Sequence, residues 1–165
     1  MDYIDNIHSF PKQVRIFFLF FTLCLSIGYF TGFKFIHKTT DLDSQGIEEN
    51  YLGNEADEDA EVMKFRKPEA EILTTVHTHI LSFSLIFFCL GGILLSVPLN
   101  QKIKNFLLIE PFVSIVVTFG GIWLLWTGIT WVKYFVMLSG MILTISFVST
   151  VGVIILHCLK TKSRN

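Results

Sequence analysis

Residues 134–159 read YFVMLSGMILTISFVSTVGVIILHCL, a run of 26 residues that contains no Asp, Glu, Lys or Arg. An α-helix needs about 20 predominantly apolar residues to cross a hydrocarbon core of about 30 Å. Because lipid offers no hydrogen-bond partner to the backbone, a spanning segment must satisfy its own N–H and C=O groups, and a helix does so. This stretch alone therefore predicts a helical membrane span.

Three further apolar stretches have a comparable length. The four predicted spans lie at about residues 14–36, 70–97, 104–127 and 133–159. Short connections between the second, third and fourth spans force antiparallel neighbours. The sequence therefore predicts an all-α integral membrane protein, a four-helix antiparallel bundle of up-down-up-down topology that forms a single membrane domain over residues 1–165.

The composition excludes an ordinary soluble domain. Of the 165 residues, 52% are hydrophobic and 16% are charged, with a mean hydropathy of +0.57. Soluble domains have about 45–50% apolar and about 25% charged residues. A formal net charge of −1 also argues against a nucleic-acid partner, which would require a basic surface. The lipid bilayer is the first partner that the sequence implies.

Residues 37–69 form the one long aqueous loop, and they contain ten of the fourteen acidic residues. Basic residues are denser in the second loop and the tail (Lys102, Lys104, Lys160, Lys162 and Arg164) than in the third loop (Lys133). By the positive-inside rule we expect the N- and C-termini in the cytoplasm and the acidic loop on the other side. The basic residues of the first loop argue for the opposite orientation.

Small and polar residues recur at helical spacing along three spans. These stripes are Thr75, Ser82, Cys89 and Ser96 with His79 and Gly92 in the second span, Glu110, Ser114, Thr118 and Gly121 in the third, and Ser139, Ser146, Thr150 and His157 in the fourth. Transmembrane helices associate through close approach at small residues and through interhelical hydrogen bonds, since lipid is as apolar as leucine. We therefore expect the three stripes to face the bundle axis.

Histidines inside the spans are candidate ligands, because ionisable residues within the membrane often mark functional sites. His77 and His79 lie about 200° apart around a regular helix, so they do not bind one ion together. One interpretation places one of them inside the bundle and the other at a subunit contact. The alternative makes His79, with His77 or His37, the axial ligands of a b-type haem or the ligands of an unidentified metal ion.

Glu110 is a second intramembrane ionisable residue. It lies about 9 Å inside the end of the third span, at 1.5 Å per residue, and Pro111 follows it. A bare carboxylate is costly at this depth, whereas a partner lowers the cost. We predict a buried polar pair between Glu110 and His157, with a proton or cation relay as the alternative role of Glu110.

Short motifs also carry a resemblance. They are Gly46-Ile47-Glu48, Tyr51-Leu52-Gly53-Asn54-Glu55, Met63-Lys64-Phe65, His77-Thr78-His79 and Ile109-Glu110-Pro111-Phe112. With them, the chain resembles a group of uncharacterised small bacterial membrane proteins with four spans, over about residues 46–140. The resemblance implies a multi-pass protein of the bacterial inner (cytoplasmic) membrane with a periplasmic acidic loop, and it brings no activity or cofactor.

The sequence has polar stripes but no recognisable catalytic centre, which favours a protein that is not an enzyme. We expect an accessory, sensory or assembly component of a larger membrane system, with the acidic loop and His77 facing a partner. Other membrane subunits or further copies of the same chain are the expected partners. The alternative from a different class is a haem b- or metal-binding redox or electron-transfer protein that uses His79 with His77 or His37.

Overall fold

The structure is a computed structural model that describes residues 6–57, 60 and 62–160. Within them it contains five α-helices: α1 (Lys12–Thr40), α2 (Ser44–Leu52), α3 (Glu69–Leu95), α4 (Gln101–Trp126) and α5 (Lys133–Leu159). Short 3-10 helices lie at Ile7–Ser9 and Thr130–Val132, and the described residues form no strand. Helices α1, α3, α4 and α5 are long and apolar enough to cross a membrane, which confirms the predicted all-α four-helix class.

Hydrogen bonds at the ends of the helices define the two ends of the bundle. The Ile7 N–H donates to the Ser96 carbonyl at 2.8 Å, and the Arg15 guanidinium donates to the Cys158 carbonyl at 2.6 Å. The start of α1 and the ends of α3 and α5 therefore share one end, the terminal end. Arg66 donates to the Trp126 carbonyl at 2.8 Å at the opposite end, the loop end. Lys162 and Arg164, which entered the orientation argument, lie outside the described residues.

Helices α4 and α5 form the centre of the bundle. Helix α4 packs against α3 and α5, whereas α1 packs against α5 and α2 and touches α3 at few places. Fully buried side chains such as Leu125, Phe147 and Ile154 fill this centre. Most apolar side chains of α1 are exposed, as on a helix whose outer surface meets lipid or another membrane helix.

The polar stripes of α4 and α5 face each other as predicted. Ser114, Thr118, Gly121, Ser139, Ser146 and Thr150 are all buried. The hydroxyls of Thr118 and Ser139 lie 2.7 Å apart, and a Cβ at Gly121 would lie 2.6 Å from Cγ2 of Val136. The two helices therefore approach most closely where small residues allow it.

The expectation for the stripe of α3 is wrong in part. Ser82 and Gly92 are exposed, and the buried side chains of this helix are Ile72, Phe87, Leu90, Ile93 and Leu94. Large apolar side chains make more van der Waals contacts with α4 than hydroxyls and glycines would. These contacts favour the orientation of α3 in which its large apolar side chains face α4. Ser82 and Gly92 are turned outward, whereas Ser96 is buried and Thr75, His79 and Cys89 are half-buried.

The first loop contains α2, which no apolar pattern predicts. Its start is fixed by Asp43, whose side chain accepts the Gly46 N–H at 2.7 Å as an N-cap. A Cβ at Gly46 would overlap the carbonyl oxygen of Thr40, so only glycine lets α2 pack against the end of α1. Gly53, with φ of 83°, ends the helix in a conformation that L-residues rarely adopt. Residues 41–68 are called the cap below.

Candidate functional site

Glu110 of α4 is half-buried and lies among hydroxyls between α4 and α5. Its carboxylate accepts hydrogen bonds from Ser114 Oγ, one turn later on α4, and from Ser146 Oγ of α5. Both serines are buried, with 4% and 1% of their surface exposed. At 1.5 Å per residue, Glu110 lies about 14 Å from the start of α4. The carboxylate is thus held between two helices and away from either end of the bundle.

Glu110 and His157 are not joined in the structure. Glu110 lies level with Ser146, and His157 lies eleven residues further along α5, which is about 16 Å along the helix axis. His157 pairs instead with His8, whose Nε2 lies 3.2 Å from His157 Nδ1. The sequence places both predicted partners on inward faces, but the axial offset between α4 and α5 separates them.

The pair of His8 and His157 belongs to a cluster at the terminal end. Arg15 donates to the carbonyls of Cys158 and Lys160 beside it. The last carbonyls of an α-helix have no partner in the helix and carry its negative dipole end, so a guanidinium there is favourable. Sequence reasoning missed His8. The available signal is that the segment before α1 must lie beside the end of an antiparallel α5.

A second polar contact joins α1 to α5. The Tyr29 hydroxyl lies 3.0 Å from Thr144 Oγ1, and the Tyr29 ring stacks on Phe147 with 3.8 Å between centroids and 7° between planes. Phe83 of α3 meets the Tyr29 ring edge-on. Aromatic contacts and one hydrogen bond therefore hold α1 against α5 where few aliphatic side chains do.

The candidate haem ligands differ in burial and in depth. His79 is half-buried, its Nδ1 lies 2.7 Å from the Thr75 carbonyl oxygen, and its ring packs 4.9 Å from that of Phe119. His77 and His37 are exposed. From the helix bounds, His79 lies about 15 Å below the loop end of α3 and His37 about 4 Å below the loop end of α1.

Because His79 and His37 lie at different depths, they do not lie on opposite sides of one haem iron. His77 and His79 in turn point to different sides of α3, as their exposure indicates. In the part of the chain that the structure describes, no three His, Cys, Asp or Glu side chains are grouped to hold a metal ion. The predicted ligands thus remain separate residues in this arrangement.

Ionic and aromatic contacts tie the cap to the loop end of the bundle. Lys133 Nζ of α5 lies 2.5 Å from Glu48 of α2, and within the cap itself Lys64 Nζ lies 3.3 Å from Glu49. Trp126 donates its indole N–H to the Lys67 carbonyl at 2.8 Å, and the Arg66 guanidinium lies over the Trp126 ring. The described part of the acidic loop is thus a folded cap.

Tyr51 is a half-buried residue of this cap that packs against the core. Burial raises the pKa of its phenol to about 12, a hydrogen bond from Asn50 acts in the opposite direction, and the charge of Glu71 adds to the increase. The phenol is therefore neutral throughout the physiological range.

Comparison with known proteins gives one match. Residues 41–165, which include the cap and the last three spans, match the family Aq_1264_TM, described as a transmembrane helical domain. No curated protein and no solved structure matches the chain. The match covers well over half of the chain and agrees with the four apolar helices of the structure. The chain is thus a multi-pass membrane protein and belongs to the Aq_1264_TM family of transmembrane helical domains.

Proposed function

We propose that this protein is a non-enzymatic component of a larger membrane system, with an accessory, sensory or assembly role, and that a partner covers the outer face of α3. The outer face is defined by the exposed residues His77, Thr78, Ser82 and Gly92. The partner is another membrane subunit or a second copy of the chain.

The composition of the outer face carries this proposal. An imidazole and two side-chain hydroxyls find no hydrogen-bond partner among acyl chains, and exposing an ionisable group to lipid is costly. A neighbouring helix supplies such partners, and glycine lets its backbone approach closely. A Cβ at Gly92 would meet no atom within 4 Å, so this side of α3 has room for a second helix.

The exposed half of α1 supports the same proposal. Every residue from 30 to 38 is exposed. In an apolar stretch of 18 residues in α1, only 6% are buried, compared with 44% in the corresponding stretch of α4. Gly28 and Gly32, spaced as G-x-x-x-G, also have open space where a Cβ would lie. Small residues at this spacing on an exposed helix are typical of helix–helix contact surfaces in membranes.

The cap supplies a second, aqueous surface for a partner. The ion pair of Glu48 with Lys133 of α5 holds it in one place relative to the membrane. Val62, Met63 and Phe65 are each more than half exposed on it. In the orientation that we propose, the protein lies in a bacterial inner membrane with both termini in the cytoplasm and the cap in the periplasm. Reporter fusions to each terminus test that orientation.

Site-specific crosslinking tests the partner. A photoreactive residue at Ser82, on the outer face of α3, should yield a discrete crosslinked species in intact membranes, and mass spectrometry then identifies either this chain or another subunit. Val116, which is 62% exposed on the lipid-facing side of α4, is the matched control and should yield lipid adducts alone. Lipid adducts at both positions, with a monomer in mild detergent, would overturn the proposal.

A further inference from the structure

Thr22 of α1 and Thr150 of α5 are fully buried, and neither hydroxyl has a hydrogen-bond partner among the described residues. Hydroxyls inside a helix ordinarily bond to the carbonyl one turn earlier. Ser26, Thr31 and Thr144 do so in these two helices. Thr22 and Thr150 are exceptions, and buried polar atoms without a protein partner call for a water or an ion.

The register of α1 against α5 places these two hydroxyls at one depth. Arg15, Thr22 and Tyr29 follow each other at intervals of seven residues, so they share one face of α1. Arg15 contacts the carbonyls at 158 and 160, whereas Tyr29 contacts Thr144 and Phe147. Thr22 therefore lies level with about residue 152 of α5, which is two residues, or about 3 Å along the axis, from Thr150.

The hydroxyl of Thr150 also lies in line with the hydroxyls that bond to Glu110. Ser146 donates to the carboxylate, and Thr150 follows Ser146 by one helical turn on the same face of α5. His157 lies on this face two turns further, at the terminal end, beside His8. Hydroxyl groups thus lead from the carboxylate of Glu110 toward the terminal end.

The opposite direction is closed. Toward the loop end, Thr118 and Ser139 bond to each other, and Ser139 also bonds to the Phe135 carbonyl. Beyond them the buried side chains are apolar, including Ile122, Leu125 and Val136. Among the buried residues described there, neither a spare hydroxyl nor an ionisable side chain continues the path, and the half-buried His79 is bonded to the Thr75 carbonyl.

No cation balances Glu110 among the described residues. The titratable groups on the surrounding helices have other contacts: Tyr29 bonds to Thr144, His79 to the Thr75 carbonyl, Lys104 to the Leu95 carbonyl and His157 to His8, and Cys89 is a half-buried thiol. Glu110 is half-buried, and a carboxylate held within a membrane without a cation is unfavourable.

We propose that Glu110 is a reversible proton-binding site, reached from the terminal end through bridging water held by Thr22, Thr150 and Ser146. The proton comes from water at the terminal end, and an O–H bond forms at the carboxylate. Ser146 then changes from donor to acceptor, and its own hydrogen turns to the carbonyl of Ile142, one turn earlier, as Ser139 bonds to Phe135. Protonation raises the net charge of the site by one, because the negative carboxylate becomes a neutral carboxyl, and no oxidation or reduction takes place.

Infrared difference spectroscopy of the full-length protein in lipid nanodiscs tests the site. Raising the pH should remove a protonated carboxyl C=O band, and Glu110→Gln should abolish this change. Ser146→Ala retains the carboxyl and should shift the frequency of the band, so the test stands if Glu110→Gln does not fold. A band that persists in Glu110→Gln, or that follows sodium concentration at fixed pH, overturns the proposal.

Hydrogen–deuterium exchange of the same band tests the path. Thr22→Val with Thr150→Val replaces two hydroxyls by methyl groups of similar volume. Exchange should slow by roughly tenfold, the factor that corresponds to about 1.4 kcal/mol. Thr31→Val is the matched control, because Thr31 is exposed on the same helix and bonds to its own backbone. Equal exchange in the double variant and the control overturns the path.

Discussion

Gly121 is the position where the bundle is most sensitive to one added carbon. A Cβ there would lie 2.6 Å from Cγ2 and 3.9 Å from Cβ of Val136, and 3.3 Å from Cγ1 of Val132. Val136 cannot turn its methyl group aside, because a β-branched side chain in a helix has one strongly preferred χ1 rotamer and this one is buried. Gly121→Ala therefore has to move α4 away from α5.

The size of the effect follows from two opposing terms. Overpacking a well-packed core costs about 1–3 kcal/mol. Replacing a helical glycine by alanine stabilises the helix by about 1 kcal/mol. Gly120→Ala receives the second term alone, since a Cβ at Gly120 meets no atom within 4 Å. The two variants should therefore differ in the free energy of unfolding by about 1–3 kcal/mol, with Gly121→Ala the less stable.

Thermal unfolding in one detergent, followed by circular dichroism, measures this difference. For a chain of this size, 1 kcal/mol corresponds to roughly 2–4 °C in Tm. Gly120→Ala should unfold at or above the temperature of the parent protein, and Gly121→Ala several degrees below Gly120→Ala. Equal Tm values for the two alanine variants would refute the close approach of α4 and α5 on which the bundle geometry rests.

Three further predictions concern the cap and the histidines. Glu48→Gln should loosen the cap by about 1 kcal/mol, less at high salt, and limited proteolysis should cut α2 faster than in the control Glu55→Gln, which alters an exposed residue of the same cap. The pKa of Tyr51 is about 12 in the folded protein, against an ordinary 10.0. The stabilisation of the cap by Tyr51 is therefore complete below pH 10 and is lost as the pH rises to 12. In an alkaline absorbance titration, Tyr51→Phe should remove the component that ionises at the highest pH. The purified protein should show no Soret band and no stoichiometric metal, and a band that disappears in His79→Ala would favour the redox alternative over the proposed function.

The spans could be predicted from the sequence because one physical constraint determines them. Lipid forces long apolar segments such as 134–159 into helices, whatever their neighbours are. Helix α2 is different. Its start depends on the capping carboxylate of Asp43 and on the clearance that Gly46 provides against Thr40, and neither produces an apolar period. Local capping contacts of this kind give weak signals in a highly charged loop.

The candidate site could be predicted in part. Helical spacing placed Glu110 with Ser114 and on the inward side, and the structure agrees. The partner on α5 depends on how far α4 is offset along α5, and periodicity contains no information about that offset. Ser146 and His157 share one face of α5, so either would satisfy the pattern. His8 lies before the first apolar run, where no periodicity applies.

The least buried helix is attached to the bundle mainly by polar and aromatic groups. Arg15 and Tyr29 anchor α1 to α5 at two points, and Thr22 lies midway between them. Burial of apolar surface does not drive helices together in lipid, so these contacts carry a larger share of the attachment than they would in water. Water held between Thr22 and Thr150 would supply a third point of attachment. Protonation of Glu110, which changes Ser146 from donor to acceptor, would then alter the hydrogen bonds one turn away from that point, and so couple the charge of the interior carboxyl to the docking of α1.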